Sequence, residues 1–291
     1  MFYLVVVILS NVILTALFKL FPKYKVNTFQ AIVVNYWTCV ITGSICLGKM
    51  CINTESFHAD WFPWALILGI GFITIFNLIG YSTKIDGITT TTIANKLSLV
   101  IPVVLSVILY KEQLNIARIC GIAVALPAVY LTSMVKDENH KTQNLFIPIL
   151  LFFSSGALDS FVKYSEHNFL PTNDVQAAFS INAFATAGVI GTTLIAILVI
   201  LGKIQLHWRN IIAGICLGIP NYFSIYLFIR LLHSNFLESS ASIPITNIGI
   251  VVVSTITAII LFKEKLTIPR IIGLLLAIVA IILIAFNGRT I

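Results

Sequence analysis

A chain of 291 residues that is 58% hydrophobic and 10% charged, with a mean hydropathy of +1.01, cannot clothe a water-soluble globule, because ordinary soluble domains are about 25% charged. Lipid must be the solvent over most of its outside, which excludes a soluble enzyme. The net charge of +7 comes from basic residues scattered singly between apolar runs, which excludes nucleic acid as a partner.

A bilayer core about 30 Å thick is crossed by about 20 apolar residues in a helix. Runs of that kind predict ten spans, at 2–20, 29–48, 62–83, 88–110, 116–134, 145–163, 175–201, 210–231, 239–262 and 268–286. The opening MFYLVVVILSN lacks a basic n-region and a small-x-small cleavage site, so it reads as a retained span. Loops such as KEQLN (111–115) and KEKLT (263–267) leave no room for a soluble domain.

Span one carries Asn11 and Thr15, span two Asn35, span three Asn77 and span seven Asn182. Single polar groups in apolar helices either bond a neighbouring helix or face a cavity. Span four, TTTTIANKLSLVIP, contains Lys96. A charge near the bilayer centre costs about 2.5–3.5 kcal/mol, so Lys96 should face the protein interior. Thr92, Asn95 and Ser98 share its side of the helix. The reading is that Lys96 lines a cavity and meets an anionic group of a substrate. The bland alternative is that it snorkels, or pairs with Asp159 or Glu238 for structure alone.

Asp159 in span six is the only carboxylate well inside a span, with Lys163 at i+4 on the same helix face. It serves either as half of that intrahelical pair or as an ion or amine ligand or proton carrier; Glu238 is the second candidate carrier. In span eight, Pro220 frees backbone carbonyls beside Asn221, Tyr222 and Ser224, which are pocket candidates, Tyr222 having interfacial anchoring as its alternative. Span nine opens ESSASIPITN, offering Pro244 and Asn247. Pro102, Pro220 and Pro244 are the expected flex points. The five cysteines fit neither a disulfide framework nor a zinc site, and no metal or cofactor is expected.

Internal repetition organises the chain. KEQLNIARICG (111–121) and KEKLTIPRIIG (263–273) share K-E-x-L-x-I-x-R-I-x-G at an offset of 263 − 111 = 152. Lys19 and Lys163, Asn27 and Asn173, and Leu68 and Leu217 echo one another at 144, 146 and 149. Thr15 stands where Asp159 stands in the second copy (159 − 144 = 15), so the halves are chemically unequal. The expected architecture is all-α and polytopic: ten transmembrane helices as two five-helix repeats, 1–138 and 139–291. Five is odd, so the second copy enters from the opposite side, the inverted-repeat arrangement of secondary transporters.

Ten spans as five plus five, with a Lys-Glu loop after the fourth span of each half and a following span that begins I-x-R-I-x-G, resemble the drug/metabolite transporter superfamily and its EamA-type members. The resemblance implies a carrier of small polar or amphipathic solutes. It also implies a central cavity lined mainly by spans one, three, four, six, eight and nine, which favours Asn11 and Asn77 as lining residues. Lys96, the amides and one carboxylate suit an amino-acid-like zwitterion or an organic anion.

An intramembrane enzyme would need catalytic parts, yet H-E-x-x-H, G-x-S-x-G and G-x-x-x-x-G-K-[ST] are all missing and the five histidines fall in loops or at span ends. A channel or receptor is the other alternative, and a channel would carry repeats about an axis along its pore. The expected partners are a small-molecule substrate and the lipid bilayer, in a monomer or homodimer of the cell (inner) membrane. Loops after odd-numbered spans hold more lysine and arginine, which places both termini outside, whereas the resemblance places both inside.

Overall fold

The computed structural model describes residues 2–48, 50–110, 116–133, 145–232 and 239–285. Among these residues there is no strand. The helices are α1 (Phe2–Leu20), α2 (Thr28–Leu47), the single turn α3 (Thr54–Phe57), α4 (Phe62–Ile85), α5 (Ile88–Leu97), α6 (Val100–Tyr110), α7 (Ile116–Ser133), α8 (Phe146–Phe169), α9 (Asn173–Ile200), α10 (Trp208–Leu232), α11 (Ser239–Phe262) and α12 (Ile268–Ala285). Nine described stretches are long and apolar enough to cross a membrane, one of them running from α5 into α6, and a shorter apolar helix covers Ile268–Ile284. Ile45, Ile200, Ile260 and Leu261 are each more than two-thirds exposed, a surface that water would penalise and acyl chains cover. The chain is an all-helical polytopic membrane protein.

Local chemistry sets the helix ends. The Asn27 side chain accepts the Gln30 N–H at 3.1 Å and starts α2, and Gly48 ends it in the left-handed region at φ 66°. Thr172 caps α9 by accepting from Val175 at 3.4 Å. Span four, expected as one helix over 88–110, is instead divided at Ser98–Leu99 into α5 and α6. Pro102 has no N–H for the Ser98 carbonyl and its ring crowds that oxygen. The carbonyl accepts from Ile101 at 2.9 Å instead, in a tighter turn. By contrast α10 runs unbroken through Pro220, and Pro244 lies in α11 with its side chain outside what the structure describes.

The principal packing pairs are α7 with α12, α2 with α10, α4 with α9 and α1 with α10. The α7–α12 seam is reciprocal. A Cβ on Gly121 would stand 2.8 Å from Ile284 Cγ1, and one on Gly273 would stand 2.6 Å from Thr132 Cγ2. These are the glycines that close the two K-E-x-L-x-I-x-R-I-x-G motifs, so each copy admits the other's backbone at the same register.

Candidate binding cavity

A cavity of about 250 Å³ lies inside the bundle. Its lining comes from α1 (Asn11, Leu14, Thr15, Phe18), α2 (Tyr36), α4 (Phe72, Ile75, Phe76, Ile79), α5 (Thr91, Thr92, Asn95, Lys96), α8 (Ser155, Leu158, Asp159), α9 (Phe184), α10 (Asn221, Ser224, Ile225) and α11 (Ile250). Pockets for drug-sized ligands run about 300–1,000 Å³, so this one suits a single small metabolite.

Lys96 sits in the last turn of α5. Its ammonium has one hydrogen-bond partner, Asn11 Oδ1 at 3.5 Å. The Asn11 amide nitrogen donates to the Val7 carbonyl at 3.0 Å, which turns its oxygen toward the lysine. Asn95 donates to Ser155 Oγ at 3.1 Å and ties α5 to α8. Asp159 is exposed and lines the same cavity from α8. Lys96 and Asp159 feel one another's charge, and the Ser98 hydroxyl stands beside the carboxylate. A direct ion pair does form elsewhere, between Lys19 and Glu264 at 3.5 Å. The cavity thus presents a positive and a negative pole that do not neutralise each other by contact.

The other expected residues divide. Thr15 and Thr92 line the cavity, Thr15 bonding its own helix at Val12 (3.0 Å) and Thr92 holding a buried hydroxyl without a partner. Asn221 lines it too, though its amide nitrogen is committed to Asn35 Oδ1 at 3.1 Å, in a buried link between α10 and α2, and Ser224 donates to the Asn221 carbonyl at 2.8 Å. Asn77 stands outside the lining and donates to Ile73 in its own helix at 2.7 Å. Tyr222 is buried outside it, stacked on Tyr226 with centroids 5.7 Å apart, and Asn247 is half-buried outside it as well. Glu238 lies outside the described residues. Sequence reasoning missed Thr91, Ser155 and the ring-bearing part of the wall, Phe18, Tyr36, Phe72, Phe76 and Phe184.

It also missed what closes the bundle beyond α5. Lys263 adopts φ 53° and ends α11, turning Glu264 toward the start of α5. There the carboxylate accepts the Ile88 N–H at 2.8 Å and the Thr89 hydroxyl at 3.3 Å, doing for α5 what its own N-cap, Gly87, cannot. Gly87 is required twice over, by its φ of 92° and because a Cβ would come within 2.7 Å of Glu264 Oε1. Lys19 joins from α1, donating also to the Thr83 carbonyl at 3.4 Å, and Arg270 donates to the Asp86 carbonyl at 3.1 Å. Burial pushes the Asp86 carboxyl above its usual range, against the pull of the Ser82 hydroxyl, Arg270 and Lys19. Five segments are knotted here: the ends of α1, α4 and α11 and the starts of α5 and α12.

Comparison with known proteins agrees with this architecture. The chain is 26% identical to an uncharacterized protein of Haemophilus influenzae, across 99% of both chains. A solved crystal structure, 15% identical, superposes with a TM-score of 0.56 over 95% of each chain, which shows a shared fold. The sequence model of the EamA-like transporter family matches residues 2–134. That family lies within the drug/metabolite transporter superfamily, whose members are membrane transporters, and it is this stretch of the chain that is similar to it.

Proposed function

We propose that the protein is a secondary carrier that moves a small zwitterionic or anionic metabolite, amino-acid-like in its charges, through the central cavity by alternating access. The observation that carries this reading is the pair of opposite charges, Lys96 on α5 and Asp159 on α8, lining one cavity of an apolar bundle without a direct ion pair. Charges inside a membrane-spanning bundle without full partners are costly. A ligand that brings a carboxylate to Lys96 and an ammonium to Asp159 removes that cost, and a protein gains from paying it only if the ligand must later leave. Asp159 is also the group suited to exchange a proton for cargo, since its carboxylate lines the cavity the cargo would occupy.

Ten spans in two inverted repeats, 1–138 and 139–291, fit this mechanism, with α5 and α6 counted as one broken span. The packing partners support the two-fold relation. Exchanging α1 with α8, α2 with α9, α4 with α10, α5 with α11 and α7 with α12 turns the α2–α10 contact into α9–α4, α1–α10 into α8–α4, and α1–α11 into α8–α5, all of which occur. The α7–α12, α2–α9 and α5–α11 contacts map onto themselves. Such symmetry lets one knotted end open while its counterpart closes. Residence in the cell (inner) membrane as a monomer or homodimer, with no enzymatic step and no cofactor, completes the reading.

The test is counterflow in proteoliposomes across a panel of amino acids, organic acids, sugars and nucleosides. Saturable flux with trans-stimulation by unlabelled solute is expected for a zwitterion or organic anion. Flux that rises linearly with concentration and shows no trans-stimulation marks a channel and sinks the carrier reading.

A further inference from the structure

We propose that the cavity selects zwitterions whose side chain is a flat aromatic ring. This rests on the carrier reading above and narrows its substrate class. Five rings from four helices run without interruption along the cavity. Phe18 meets Phe76 edge-on at 5.3 Å, Phe76 meets Tyr36 at 6.0 Å, Tyr36 stacks on Phe184 at 6.0 Å and 24°, and Phe184 stacks on Phe72 at 5.2 Å and 23°. All five line the cavity that Lys96 and Asp159 also line.

Rings packed only against one another would be core, and Phe18, Tyr36 and Phe184 are at most 2% exposed. Phe72 and Phe76 differ, because both are half-buried. Their uncovered surface does not face lipid: α4 turns Ile67, Ile70, Thr74 and Tyr81 outward, and Phe72 and Phe76 project from the other side of the helix. Uncovered ring surface inside a bundle faces the cavity. The charged poles come from α5 and α8 and the rings from α1, α2, α4 and α9, so one ligand can set its charged end against the first group and its side chain against the second. A short hydrophilic zwitterion would leave Phe72 and Phe76 uncovered, and an aliphatic one would cover them without the edge-to-face and offset-stacked contacts that the existing rings already make with each other. The volume of about 250 Å³ limits the ligand to one such molecule.

Five probes test this with purified protein in proteoliposomes: L-phenylalanine and L-tryptophan, L-leucine, phenylacetate and phenethylamine. The two ring-bearing zwitterions should half-saturate flux at concentrations about tenfold lower than leucine, the scale of one to two aromatic contacts. Phenylacetate and phenethylamine, each lacking one charge, should do worse than phenylalanine. Phe72→Leu and Phe76→Leu keep an apolar wall and should bring the phenylalanine-to-leucine ratio toward one. Their folding is checked by monodispersity and melting, and flux by wild-type protein stands as the measurement that needs no variant. Leucine carried as well as phenylalanine overturns the ring requirement and leaves the carrier reading intact. Phenylacetate carried as well as phenylalanine overturns the zwitterion requirement. No flux with these five while the wider panel shows counterflow overturns the inference alone; no counterflow with either set overturns both.

Discussion

Two lysine–carboxylate combinations lie at opposite ends of one short helix, α5, and they are treated in opposite ways. At the start of α5 Glu264 is saturated: Lys19, the Ile88 amide and the Thr89 hydroxyl all reach it, and it is 9% exposed. At the end of α5, about 15 Å away at 1.5 Å per residue, Lys96 has one long contact to Asn11, and Asp159 stands apart from it. A satisfied buried ion pair holds segments together, whereas charges left short of partners are poised for something that arrives. The contrast separates closure from recognition within a single ten-residue element.

Removing Lys96 should break that contrast most severely. Truncating one member of a buried charge contact costs about 2–5 kcal/mol, so Lys96→Ala should reduce substrate counterflow at least about 30-fold while the protein stays monodisperse. A variant that transports normally would make Lys96 structural. Asp159→Asn keeps shape and hydrogen bonding but loses the negative pole, and about a tenfold loss of flux is expected for a zwitterion. Retained flux for an organic anion and lost flux for a zwitterion would identify Asp159 as the ammonium partner, and the reverse pattern would reassign it. Glu264→Gln acts on the satisfied end. It should lower stability by about 1.5–3 kcal/mol, the scale of a hydrogen bond to a charged group, read as a drop in melting temperature in detergent together with faster hydrogen exchange at the start of α5. Asn77→Ala should have the smallest effect, with flux within about twofold of wild type, because Asn77 bonds only its own helix and lies off the cavity.

The sequence made Lys96 legible because an ammonium in an apolar run has few physical excuses. Asp159 and the amide-rich face of span four were legible for the same reason. The aromatic wall was not. A phenylalanine in a membrane helix reads alike whether it faces lipid, core or cavity, and only the packing of α4 against α9 and α1 decides. Glu264 was visible in the repeated motif, yet the cap it provides joins positions 176 residues apart, and no local pattern announces a cap supplied from elsewhere in the chain. Asn77, expected in the lining, instead satisfies its donor within one helical turn and lies outside it. The division of span four was foreshadowed by Pro102, whose effect falls four residues earlier at the Ser98 carbonyl.

Neither α7 nor α12 contributes a residue to the cavity, and their reciprocal glycine seam brings the two backbones close together. A change in the cavity lining therefore need not alter a residue of this post, and a change in the post need not alter a residue of the lining. A protein partitioned in this way can drift in what it recognises while its assembly stays constant, and grafting the lining of one such bundle onto the post of another becomes a practical engineering route.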